Sequence, residues 1–488
     1  MRTSAPAPAA ARIARIACAA CIACAVLGAC TVGPSFKRPS TPQPSSYTSP
    51  GEPEASGGAD FAQRIVLGGT PAADWWTLFR SPQLDGLIGQ AVADNHTLAA
   101  ARAALDEAQE LVKAEAGASY PQVSLDGGLG RQKYGKEFLG SVFVLPPFSY
   151  LAAGATVSYT VDYLGGVTRS VEQRRALAQY QQSEVDAAYL ALTGSVVLQA
   201  IDAAAARAEI DAISKLVSED RDNLNLVRTE YENGSVSRVD VLTAQSQLAS
   251  DETLLPPVRE RLDVARHALA VLIGKAPADW TPPQLELASL TLPRELPVSL
   301  PSELAHRRPD ILAAEAQLHA ATAAVGIATA NLYPQINLTA TGGLQAVPFQ
   351  QLFDSSNAAW TLISGITAPV FEGGRLRAEQ RAAVDQLRAS AAQYQQVVLQ
   401  SFGQVADLLD SLRHDSELLA AQSNALTAAG SSAELARESY KAGNTGLLDV
   451  LDAQRQRLAA ELGLVRAQAQ QYVDTAELFL ALGGGHLP

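Results

Sequence analysis

The string "YENGSVSRVDVLTAQ", beginning at Tyr231, recurs as "YKAGNTGLLDVLDAQ" at Tyr440. It is the last of four landmarks that occur twice in the same order. "HTLAAARAAL" from His96 aligns with "PDILAAEAQL" from Pro309, and "SYPQVSLDGG" from Ser119 with "LYPQINLTAT" from Leu332. "DYLGGVTRSVEQ" from Asp162 aligns with "VFEGGRLRAEQ" from Val370. The repeat length, about 210 residues, far exceeds a solenoid period, so the chain is a duplicated half-protein. Whatever one copy folds into, the other must repeat, and the two must fit each other.

Each copy reads as helix, two strands, long helix, turn, helix. In "YLAAGATVSYTVDY", Leu151, Ala153, Ala155, Val157, Tyr159 and Val161 alternate with small or polar residues, the period of a strand with one apolar face. "QVSLDGGL" repeats the pattern through Val123, Leu125 and Leu129, and "QINLTAT" through Ile336, Leu338 and Ala340. The fourth strand, residues 359–371, places Trp360, Leu362, Ile366, Ala368 and Val370 on one side. The Gly pairs in "YLGG" and "FEGG" follow the second strand of each copy, where they serve a tight bend.

The helical stretches from Thr168 to Tyr231 and from Arg375 to Tyr440 contain no Pro, which allows helices on the order of 90 Å. Helices that long need partners along their length. The returning helix supplies a seam in Leu448, Leu451, Leu458, Leu462, Val465, Ala469, Tyr472, Ala476 and Phe479, at alternating steps of three and four with Arg455 as the single miss. In the first copy Leu248, Leu255, Leu262 and Leu269 recur every seven, but Pro256-Pro257 predicts a break. Arg307-Arg308, at a helix start, reads as two charges facing water.

Strands of roughly 9–11 residues suit a tilted transmembrane strand, and the sequence offers no competing apolar helix of ~20 residues after its N-terminal segment. Strands in lipid must close into a barrel, since an open edge leaves peptide groups unpaired. Four strands cannot close one, so the barrel must be shared between chains. The fold class is therefore an α+β membrane protein, with four transmembrane strands and long coiled-coil-like helices per protomer.

The first 29 residues carry Arg2, Arg12 and Arg15, no acid, and an apolar run ending in "LGAC". This is an export signal, and its end resembles a bacterial lipobox, which makes Cys30 the lipidated N-terminus of the mature chain. The implied modification is an N-acyl and S-diacylglycerol lipid on Cys30. No other cofactor is expected, and no metal: Cys18, Cys21 and Cys24 leave with the signal, and the six His are scattered without ligand spacing. Loss of the three arginines makes the formal net charge of −13 still more negative, which argues against a nucleic-acid partner. The domain plan is a signal peptide at 1–29, a lipid-anchored tether at 30–80, a first repeat at 81–274 and a Pro-rich linker at 275–301. A second repeat at 302–482 and a tail at 483–488 complete it.

Three stretches together carry a family resemblance. These are Cys30 with the following "TVGPSFKRP", "RRPDILAAEAQLHAATAAVGIATANLYPQINLTATGG" from Arg307, and "YKAGNTGLLDVLDAQRQRL" from Tyr440. They resemble the outer-membrane factors of tripartite efflux systems, in the lipoprotein branch of the TolC-type channels called the NodT family. The resemblance implies a homotrimer in the outer membrane whose 12-stranded β-barrel continues into a periplasmic α-barrel. It implies partnership with a periplasmic adaptor and an inner-membrane pump, and export of toxic small molecules without catalysis.

The same resemblance puts the repeated strings at the periplasmic tip, with Gly234 and Gly443 in the turns. It places Asp449 and Asp452 at the gate, and Tyr440, Asp240 and Tyr231 in the latch that holds it. An Arg of that latch is replaced here by Thr445, with Arg238 as a candidate substitute. Two other functions fit the same sequence: an exit duct for secreted polypeptides, and a coiled-coil structural lipoprotein that transports nothing. The second gives no reason for four alternating strands in duplicate.

Overall fold

A computed structural model describes residues 31–40, 44–48, 63–134, 146–347 and 349–484. The signal peptide and Cys30 lie outside the described residues. Among these, the first copy contributes α1 (Pro82–Asp94), α2 (His96–Gly117), β2 (Gln122–Gln132), β3 (Phe148–Val161), α3 (Gly166–Glu232), α4 (Arg238–Glu252) and α5 (Leu255–Leu272). The second contributes α6 (Pro309–Ala330), β5 (Gln335–Ala346), β6 (Ala358–Thr367), α7 (Arg375–Lys441) and α8 (Leu447–Ala481). Two short strands, β1 (Arg64–Leu67) and β4 (Glu295–Val298), lie outside the repeats. The duplication is visible in the lengths: α2 and α6 have 22 residues each, and α3 and α7 have 67 each.

The two copies do not make two separate bodies. One compact unit takes residues 1–39, 105–180 and 314–393, and the other takes 40–104, 181–313 and 394–488. Each unit is assembled from both repeats.

The first unit holds a four-stranded antiparallel sheet in the order β2-β3-β5-β6. The two hairpins join through β3 and β5, with Ala155 opposite Gly342 and Tyr159 opposite Leu338. Register carries Leu125, Ala155, Gly342 and Trp360 across one row and Asp126, Gly154, Gly343 and Ala359 across the next. One face is therefore apolar, and it is open: Leu125 is 86% exposed and Trp360 81%. The opposite face carries Asp126, Thr156, Ser158, Thr160, Asn337, Thr339 and Thr341, interrupted by apolar residues such as Ala152, Ala359 and Ile363. There the Thr156 hydroxyl donates to Asp126 Oδ2 at 2.6 Å and the Thr160 hydroxyl donates to Asn337 Oδ1 at 2.9 Å. β6 stops at Thr367, before Pro369, so Ala368 and Val370, which the alternation places in the strand, lie beyond its end.

In the same unit residues 31–39 are clamped, not loose. The Val32 N–H donates to the Leu164 carbonyl at 2.9 Å, and Phe36 stacks on His319 with ring centroids 4.3 Å apart. Arg38 pairs with Glu315 at 2.7 Å. His319 in turn faces Glu172 at 2.9 Å, and the buried Arg169 holds Glu172 from the other side at 2.6 Å.

The second unit contains the helix hairpins and an aromatic core. Trp75, Phe79 and Phe479 are fully buried, and the Trp75 and Phe479 rings lie 5.7 Å apart. The tether expected over 30–80 therefore ends well before residue 80: three large aromatic side chains between Trp75 and Phe79 gain too much from burial to stay in water. β1 pairs in parallel with β4, Ile65 opposite Leu296, so the Pro-rich linker also contributes a strand that its composition does not announce.

The break before Pro256 is observed: α4 ends at Glu252, and α5 begins at Leu255 with proline in its first turn, where the missing N–H has no intrahelical acceptor to lose. The seam of α8 holds at Leu451, Leu458, Ala476 and Phe479, which are buried, but Leu448 is 66% exposed and Leu447 takes its place inside. Arg308 does not simply face water. It bonds Asp310 and Gln404 and donates to the Ala481 carbonyl at 2.7 Å. Two helical stretches also depart from the expectation of no apolar span. α6 and part of α3 reach mean hydropathies of 1.3 and 1.4 over 18 residues, with 61% and 56% of those windows buried in protein.

Candidate functional site: the paired hairpin tips

Each long helix ends in the same device. At the first tip the Ser235 N–H donates to the Glu230 carbonyl at 2.8 Å and the Gly234 N–H to the Tyr231 carbonyl at 2.9 Å. At the second, Asn444 bonds Ser439 and Gly443 bonds Tyr440, both at 2.9 Å. These pairs satisfy the last helical carbonyls and require a left-handed residue, supplied by Gly234 at φ +76 and Gly443 at φ +72.

The returning helix starts with a matching cap in each copy. Asp240 Oδ2 accepts the Ser237 N–H at 2.8 Å and the Ser237 hydroxyl at 2.7 Å, and these bonds hold its carboxyl below the usual carboxylate range. Asp449, at the same place in the second copy, accepts the Gly446 N–H at 3.1 Å. Glycine stands where the first copy has serine, so the second cap is half of the first. Both acids are thus tied to helix starts. Asp452 lies one turn further along an exposed face and accepts from Gln456 at 2.7 Å.

Leu224 and Val227 of α3, Ala244 of α4, and Leu447 and Leu451 of α8 form a buried cluster that fastens the tips to each other, with Tyr440 packed against it. The Tyr440 hydroxyl donates to Glu230 Oε2 at 2.7 Å. Burial, reinforced by Glu230, pushes that hydroxyl up to about 12. Within one chain, and among the described residues, the residues expected in the latch are not hydrogen-bonded to one another. Tyr440 is bonded to Glu230 and not to Asp240, which is occupied by Ser237, and Tyr231, the repeat counterpart of Tyr440, is 45% exposed. The Thr445 hydroxyl is buried without a hydrogen-bond partner, and Arg238 is exposed and forms no ion pair among the described residues.

A profile of the outer membrane efflux protein family matches residues 87–275 and 300–484. The chain belongs to this family. The efflux protein is 31% identical over 421 residues to the pyoverdine export outer membrane protein OpmQ of Pseudomonas putida, covering 85% of this chain and 88% of that one. It is 28% identical over 473 residues to outer membrane protein OprJ of Pseudomonas aeruginosa, covering 94% of each. The structure of the outer-membrane channel OprN superposes with a TM-score of 0.83 at 26% identity, over 93% of this chain and 99% of that chain. That of VceC from Vibrio cholerae gives 0.78 at 27% identity, over 85% and 99%. The efflux protein is an outer-membrane channel component of a tripartite efflux system.

Away from the tips, the efflux protein joins its helices through buried and half-buried acids that periodicity does not single out. Glu209 of α3, fully buried, accepts from Arg261 of α5 at 3.0 Å and from Arg466 of α8 at 2.9 Å. Glu219, about three turns on, accepts from Arg457 of α8 at 2.7 Å and Arg437 of α7 at 3.3 Å. At two further joints acid meets acid, with no ion pair to a base among the described residues: Asp220 meets Asp251, and Asp415 meets Asp474.

Proposed function

We propose that three copies of this chain close into one duct that moves small toxic molecules outward without catalysing a reaction, working with a periplasmic adaptor and an inner-membrane pump. The observation that carries this reading is the sheet. Among the described residues its β2 and β6 edges are unpaired, one face is largely apolar and exposed, and the other is largely polar. Such a sheet is stable in lipid only when neighbouring copies pair the two edges and close a barrel, apolar face outward. Three copies give twelve strands, enough for a water-filled interior. A lipid on Cys30 holds the chain to the outer membrane. Relatives named for export of pyoverdine, toluene and antibiotics support a small-molecule cargo.

Asp449 and Asp452 from three copies put six carboxylates near one axis, which favours cations at the periplasmic end. The test is the purified full-length protein in planar bilayers, alongside susceptibility of a deletion strain to a panel of aromatic and antibiotic compounds. A trimer in native mass measurement, discrete currents and hypersensitivity are expected. A protein that is monomeric and silent in bilayers refutes the duct. Unchanged conductance and cation selectivity in Asp449→Asn with Asp452→Asn removes these acids from the gate.

A further inference from the structure

Asp220 on α3 and Asp251 on α4 are 2% and 3% exposed, and Asp415 on α7 and Asp474 on α8 are 8% each. In each pair the two buried carboxyls face each other at close range. A carboxylate only accepts, so two ionised carboxylates have no hydrogen to share. We propose that each pair is a proton-binding site in which one shared proton fastens a long helix to its returning helix, and whose loss drives the two helices apart.

The surroundings support a proton over any other ligand. The first pair receives one neutral donor, Gln247 Nε2 to Asp251 Oδ2 at 2.5 Å. Glu219 adds repulsion from α3, and Arg455 of α8 is the opposing cation whose field reaches Asp220. Arg221 of α3 is occupied by Glu252 of α4 at 2.7 Å. The second pair likewise receives one neutral donor, Gln470 Nε2 to Asp474 Oδ1 at 2.8 Å, and Glu477 of α8 adds like charge. Beside it on α7, Arg413 is engaged by Asp410 and Glu417, and His414 by Glu417. Among the described residues no Lys, Arg or His forms an ion pair with any of the four aspartates. Asp220 Oδ2 and Asp415 Oδ2 are both buried without a donor. Burial first, and then the facing carboxyl, push Asp220 and Asp415 up to about 7.

The two sites are not copies of one ancestral pair. The residue aligned with Asp220 in the second copy is Ala429, and the residue aligned with Asp415 in the first is Ala206. The same joint between long and returning helix thus carries the same chemistry from unrelated positions.

For a group raised on folding, stabilisation is complete below its unfolded value and is lost as pH rises to its folded value. Both hairpins are therefore tightest in acid and loosen as pH rises from about 4 to about 7. The test uses the intact full-length protein in detergent, followed by hydrogen exchange corrected for intrinsic rates. Exchange across the α3–α4 and α7–α8 joints is expected to rise by up to about tenfold per pH unit through this window. Asp220→Asn and Asp415→Asn, which donate to the remaining carboxylate at every pH, should each flatten the response at their own joint. An infrared band of a protonated buried carboxyl near pH 6 should lose intensity in each variant and vanish in the double variant. If either variant fails to assemble, Asp251→Asn and Asp474→Asn serve in its place. A wild-type exchange profile flat in pH, or a carboxyl band unchanged in the double variant, overturns the proposal.

Discussion

Replacing Arg466 by Leu leaves the carboxylate of Glu209 with one cation in place of two, at a site where Glu209 has no exposed surface. Breaking a buried ion pair from one side costs about 3–5 kcal/mol, because the partner keeps a charge it cannot hydrate. Arg261 remains at 3.0 Å and compensates part of that charge, so the expected cost is about 2 kcal/mol. Glu209→Leu removes more bonds yet should cost less. Its two arginines are 39% and 60% exposed, so both can turn to water, and Arg261 keeps Asp202 at 3.2 Å. The expected cost there is about 1 kcal/mol. Removing the acid at the centre is therefore milder than removing one of the bases around it. The measurement is the free energy of local opening at the α3–α8 joint from hydrogen exchange on the intact assembly. The reverse order, with Glu209→Leu more damaging than Arg466→Leu, refutes the argument that the desolvated anion sets the cost.

Three further outcomes follow from the geometry. Tyr440→Phe removes the bond to Glu230 and should weaken the tip by about 1–2 kcal/mol, seen as more frequent opening in bilayers. Because the Tyr440 hydroxyl is pushed up to about 12, the stabilisation it contributes is complete below about pH 10 and is lost between about 10 and 12, a dependence that alkaline titration of the variant should lack. Gly234→Ala and Gly443→Ala, at φ +76 and +72, should each lower stability by about 1 kcal/mol, with Asn milder than Ala, as read from thermal melting. Gly33→Ala places a Cβ 2.5 Å from the Gly326 backbone at φ +87. It should release residues 31–39 to protease while the rest of the chain stays resistant.

What the sequence disclosed was whatever is encoded locally or by repetition. Alternation at Leu151 to Val161 marked β3, the lack of Pro marked α3 and α7, and Pro256-Pro257 marked the break ahead of α5. Gly234 and Gly443 were readable as turns, and Ser237-x-x-Asp240 also carried a helix-start signature that assigns Asp240 to a cap before any gating role. Contacts between distant segments were not readable. Glu209, Glu219, Asp220 and Asp415 look like ordinary charges on a helix face, because only the packed partner decides whether such an acid meets an arginine, another acid or water. Three aromatics in five residues signal the burial of Trp75, Trp76 and Phe79, but the Pro, Ser and Gly that precede them mask it. Leu448 failed as a seam residue because it sits in the first turn of α8, where the chain is still turning from the tip.

The two edges of the sheet differ: β2 offers Gly127, Gly128 and Gly130, whereas β6 offers Trp360, Leu362 and Ile366. Copies can then join only edge to unlike edge, head to tail around a ring. In such a ring every subunit is indispensable to two neighbours, and a lesion confined to β2 or β6 is not diluted by sound copies. In a cell making equal amounts of sound and damaged chain, only about one ring of three in eight is wholly sound. An edge variant should therefore be dominant, poisoning the efflux of a cell that still carries the intact gene.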